Sequence, residues 1–77
     1  MAPDRVRDAL QAMPFKPFTV EIAGEKRIPV KHPDFSQLSP AGRTLVVSGD
    51  NDEWMEIIDV FLVTNLSFGR AKAVRRR

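Results

Sequence analysis

Few residues of this chain have the types and spacing that chemistry requires. His32 and Asp34 are two positions apart, and residues i and i+2 of a strand share a face, so an imidazole–carboxylate pair is conceivable. A general acid–base or metal role needs more partners. Pro33 between them favours a turn, in which Asp34 caps the local backbone and His32 lies half-exposed on the surface. Asp50, Asp52, Glu53 and Glu56 form an acidic run. A calcium loop needs a longer, defined spacing of oxygens closed by a Glu. The run therefore reads as a solvated hairpin tip, whose charge discourages edge-to-edge sticking. The same charge permits pairing with Arg75–Arg77 of a neighbouring subunit. The chain has no cysteine, which excludes disulfides, thiol catalysis and thiolate metal sites. Hydrolytic serine motifs, glycine-rich phosphate loops and metal-ligand spacings are also missing. No catalytic residue, metal site or cofactor is expected, and the reading argues against an enzyme.

Charge is unevenly placed. Residues 70–77 hold Arg70, Lys72, Arg75, Arg76 and Arg77 and no acid. Residues 1–69 then carry seven basic against ten acidic residues, formally −3. A short basic tail can dock on nucleic acid by displacing counterions, here assisted by Arg5, Arg7 and Lys16. The alternative is a solvated, flexible terminus.

These residues must be positioned by a small fold, because 77 residues suffice for one compact core. All six prolines fall within the first 40 residues and cut the front half into short pieces. Pro3 to Met13 is the helix candidate, with Val6, Leu10 and Met13 on one apolar stripe. Pro3 suits its first turn, Asp4 its positive end, and Pro14 stops it. From Phe18 the period becomes two, with Phe18, Val20 and Ile22 inward and Thr19 and Glu21 outward. A turn over residues 23–25 leads to a return strand over 26–31, where Pro29 demands an edge or a bulge. Phe35 to Ser39 is a short strand, and Ser39-Pro40-Ala41-Gly42 a turn. Thr44 to Ser48 reads as a strand covered on both faces, followed by an acidic turn and a strand from Trp54 to Ile58. An interruption at 59–61 precedes the last strand, in which Leu62, Thr64, Leu66 and Phe68 alternate. The six aromatic residues are expected chiefly in the core, with two exceptions: Trp54, directly after the acidic turn, and Phe15, which packs the helix onto the first strand.

The segments Pro14-Phe15-Lys16-Pro17-Phe18, His32-Pro33-Asp34-Phe35, Ser39-Pro40-Ala41-Gly42-Arg43 and Asp59-Val60 with Val63 and Leu66 resemble small uncharacterised bacterial proteins abundant in planctomycete-type genomes. The resemblance covers about residues 5–68 and implies no catalytic residues. More loosely, the order of elements resembles the Sm-like fold of bacterial RNA chaperones. That likeness implies rings in which the fourth strand of one subunit pairs with the fifth of the next, here Trp54–Ile58 and Leu62–Phe68. The chaperones' uridine-binding Lys-His pair has no counterpart, since Ile58-Asp59 and Val60-Phe61 occupy that region.

The expectation is a mainly β domain over residues 1–69 with one N-terminal helix, followed by a flexible basic tail over 70–77. The strands form a small five- or six-stranded antiparallel barrel, SH3-like or Sm-like, capped by the helix. Its expected role is a non-enzymatic interaction module, self-associating through sheet edges with Trp54, Ile57, Ile58, Leu62 and Val63 at the interface. RNA binding through the tail is the alternative. No apolar run reaches the ~20 residues of a membrane span, and no secretory signal layout is present. A soluble cytoplasmic homo-oligomer is expected.

Overall fold

A computed structural model of the chain describes residues 1–23 and 26–69. Helix α1 spans Pro3–Gln11, and strands β1 to β6 span Phe18–Ile22, Lys26–Val30, Ser36–Leu38, Thr44–Ser48, Met55–Asp59 and Val63–Phe68. Short 3-10 turns over Pro33–Phe35, Asp50–Asp52 and Val60–Leu62 separate β2 from β3, β4 from β5 and β5 from β6. The strands form two antiparallel three-stranded sheets, ordered β2-β1-β6 and β3-β4-β5. The fold is therefore mainly β with one N-terminal helix. The closed cylinder expected from the alternation is not formed by hydrogen bonds, because no ladder joins the two sheets among the described residues.

Both sheets and the helix bury their apolar faces in one interior. It comprises Val6 and Ala9 of α1, Phe18, Val20, Ile28, Val30 and Val63 of the first sheet, Leu45, Val47 and Ile58 of the second, and Val60 between them. The helix lies on it as anticipated, but over a narrower stripe. Leu10 is half-buried and Met13, beyond the last turn, is 93% exposed. The Met1 ammonium donates to the Val60 carbonyl at 3.1 Å, holding the start of the helix against the turn between β5 and β6. Ser39 accepts from the Gly42 amide at 2.8 Å, closing the Pro40-Ala41 turn. Gly42 has φ +80°, and a Cβ there would come within 2.5 Å of the Pro3 Cβ. Glycine is required both by the left-handed backbone and by the helix resting on it.

Three expectations are corrected. Aromatic residues do not form the core: only Phe18 is buried, while Phe15 and Phe35 are half-buried and Trp54, Phe61 and Phe68 lie exposed. Nine of the eleven buried hydrophobics among the described residues are valine, leucine or isoleucine. Strand β4 alternates, with Leu45 and Val47 buried and Val46 half-exposed, so it is covered on one face. In β6 the inward residues are Val63 and Leu66. The β1–β6 register jumps from Ile22↔Val63 to Glu21↔Asn65, leaving Thr64 as the extra residue of a bulge. A bulge reverses the side-chain parity on either side of itself. Pro29 does sit on an edge strand, opposite Thr19.

Leu45 and Val46 are chain neighbours on opposite faces, which makes them a clean comparison. Leu45→Ala is expected to cost about 2–5 kcal/mol in denaturant unfolding, by lost burial plus cavity formation. Val46→Thr is expected to cost less than about 1 kcal/mol. Gly42→Ala should destabilise by more than about 1 kcal/mol through backbone strain.

Candidate functional site

Five of the seven large hydrophobic residues exposed among the described residues fall between Trp54 and Leu62. In β5 the alternation sends Ile58 into the core and leaves Met55 and Ile57 on the outer face, 61% and 72% exposed. Ile57 lies opposite Val46, so the apolar row continues across onto β4. Phe61 and Leu62 project from the following 3-10 turn, each 59% exposed. The Asp59 carboxylate holds that turn by accepting from the Phe61 amide at 2.9 Å. The Arg43 guanidinium lies 4.9 Å from the centre of the Phe61 ring, within cation–π range. Strand β5 ends its sheet and β6 ends the other, so each presents an unpaired row of backbone groups among the described residues.

Of the residues singled out for an interface, Trp54, Ile57 and Leu62 are at the surface, whereas Ile58 and Val63 are each 3% exposed and belong to the core. The doublets Ile57-Ile58 and Leu62-Val63 looked apolar on two faces. In each pair one residue serves the core and its neighbour points outward. Trp54 lies against Gly49, where any side chain would overlap its indole, and the Gly49 amide donates to the Trp54 carbonyl at 3.0 Å. The clue in the sequence was a glycine five residues before a tryptophan.

His32 and Asp34 are brought together, but as a cap. His32 Nδ1 accepts from the Asp34 amide at 3.2 Å, opening the Pro33–Phe35 turn, and lies 3.6 Å from the Asp34 carboxylate. The roles are the reverse of those expected, since the imidazole does the capping. Both side chains are exposed, and the imidazole leans on the Phe35 ring at a centroid distance of 5.6 Å. Asp50 and Asp52 lie on an exposed turn, while Glu56 pairs with Lys26 at 3.1 Å across the two sheets. Among the described residues no group of three or more His, Asp or Glu is placed to hold a metal ion. Arg5 and Lys16 are exposed, and Arg7 pairs with Asp4 at 3.2 Å. Arg70, Lys72, Arg75, Arg76 and Arg77 lie outside the described residues. No helix among the described residues is long and apolar enough to cross a membrane.

One polar cluster was missed. Ser67 donates to the Glu21 carboxylate at 2.7 Å, and Asn65 Nδ2 lies 3.5 Å from its other oxygen. The three are outward residues of β1 and β6, and their meeting depends on pairing the first strand with the last. The Ser67 hydroxyl holds the Glu21 carboxyl below its ordinary value against the effect of partial burial, with smaller help from Asn65 and Arg27.

A carboxyl that is more acidic in the folded chain contributes stability above its unfolded value of 4.5, and that contribution is lost as pH falls below it. Ser67→Ala should therefore raise the Glu21 titration midpoint, followed by carboxyl-resolved NMR, and flatten the acid side of the stability profile. Compared with known proteins, the chain matches no family model, no curated protein and no solved structure.

Proposed function

We propose that this chain is a non-enzymatic interaction module of small β-barrel type, SH3-like or Sm-like, that self-associates through its sheet edges. The observation that carries this is the exposed group of Met55 and Ile57 on the terminal strand of one sheet and Phe61 and Leu62 on the turn that follows it. Four large apolar side chains exposed within eight consecutive residues form a patch of the kind that marks interaction sites. The barrel reading is supported by the pairing of the first strand with the last and by the single 3-10 turn that separates β2 from β3. It is further supported by the Lys26–Glu56 ion pair spanning the sheets. Strands β5 and β6 are two of the four edge strands among the described residues, so pairing β5 of one copy with β6 of the next is heterologous. Such contacts close into a ring or continue as a filament. A chain of this size has little core to spare, and association is one common source of added stability.

Light scattering and native mass spectrometry at micromolar concentration test the reading. The wild-type chain is expected to be oligomeric. Burying an isoleucine contributes roughly 1.5–3 kcal/mol. Ile57→Lys should therefore weaken association by about 10- to 100-fold per contact, with the unfolding midpoint of the monomer little changed. A strictly monomeric wild type would refute self-association.

A further inference from the structure

Trp54 is the one tryptophan of the chain, and its indole is 36% exposed. It stands between two clefts. One, of about 90 Å³, is lined by Pro29, Lys31, Phe35, Gly49 and Glu53; the other, of about 230 Å³, runs along Lys26, Arg27, Ile28 and Glu56. The indole and the exposed Pro29 ring make an apolar shelf. The rim of the smaller cleft carries the carboxylates of Asp50 and Glu53. Neither is in an ion pair among the described residues. Lys31 is the one cation lining that cleft, which leaves it an excess of one negative charge, whereas Lys26 and Arg27 outnumber Glu56 along the larger one.

An aromatic shelf beside surplus negative charge selects a cationic occupant, which gains Coulomb attraction at the rim and cation–π contact on the indole. A phosphate backbone would be repelled there. The chain itself supplies such a segment. Residues 70–77 read Arg-Ala-Lys-Ala-Val-Arg-Arg-Arg, five cations with small apolar residues between them and no acid. They follow directly on β6, whose Phe68 is opposite Phe18, which in turn is opposite Val30. Phe68, two residues before the segment, therefore lies about 10 Å, two strand spacings, from the end of β2. Lys31 follows that end and lines the cleft. Eight extended residues reach roughly 26 Å, enough to cover the distance within one molecule.

We propose that the Trp54–Pro29 shelf, with its acidic rim, is the docking site of the chain's own basic segment 70–77. This inference does not rest on edge pairing, and it is tested in the full-length chain and in the Ile57→Lys background alike. Trp54 emission and its indole N–H resonance are compared between the wild type and a chain carrying Arg75→Glu, Arg76→Glu and Arg77→Glu. At low salt, roughly 0.01 M, the wild-type emission should be blue-shifted relative to the variant, and the difference should vanish near 1 M salt, where charges are screened beyond about 3 Å. Asp50→Asn with Glu53→Gln should remove the same shift, and a hundredfold dilution should leave it unchanged.

Identical emission of wild type and tail variant at low salt would overturn the proposal. So would a shift that disappears on dilution, which would make a second copy the occupant. A tail variant that loses binding of a single-stranded oligonucleotide while Trp54 stays unmoved would assign the segment to nucleic acid and also overturn it.

Discussion

The whole structure depends on a shared aliphatic interior. A three-stranded sheet of five-residue strands has one apolar face to bury, and a nine-residue helix is marginal in water. Neither has a core of its own. Val6 and Ala9 from the helix, Val20 and Val30 from one sheet, and Leu45 and Val47 from the other meet in the same cluster. Each element is stable only while the other two cover it. The local devices serve this meeting: the Met1 ammonium on the Val60 carbonyl, Gly42 under Pro3, and the Lys26–Glu56 pair. Single surface ion pairs contribute little energy, so the last of these fixes alignment more than stability.

The make-up of that interior also bears on the surface. Valine, leucine and isoleucine supply most of the buried side chains, and Phe18 is the one buried aromatic among the described residues. Phe15, Phe18 and Phe68 form a tilted series with centroid distances of 6.0 and 5.4 Å. Phe68 also borders, with Ala9, Ala12 and Leu66, a cleft of about 360 Å³ between the helix and β6. A small domain with wide side chains at its margins exposes more apolar area than its core alone would suggest. The run from Trp54 to Leu62 holds five of the seven large hydrophobic residues exposed among the described residues.

Much of this was legible from local chemistry. The change to period two at Phe18, the proline at 29 that confines its strand to an edge, and the Pro40–Gly42 turn all have direct physical causes within a few residues. What was not legible depends on partners distant in the chain. The β1–β6 pairing joins residues more than forty positions apart. Its bulge at Thr64 reverses which of Leu62 and Val63 turns inward, and nothing in the local pattern announces it. The same holds for the Glu21–Ser67 contact. The interface residues were half legible for the same reason: an apolar doublet reveals that two faces are served, but not which residue serves which.

Each sheet ends in two edge strands, so β2, β6, β3 and β5 all carry unpaired backbone groups among the described residues. A molecule built this way offers four places for strand addition, each with its own side-chain pattern. Pairing two unlike edges gives an assembly with a direction, and its growth is stopped by a partner that occupies one of them. A single extended peptide of suitable alternation would suffice as that terminator, with no need to imitate the rest of the fold.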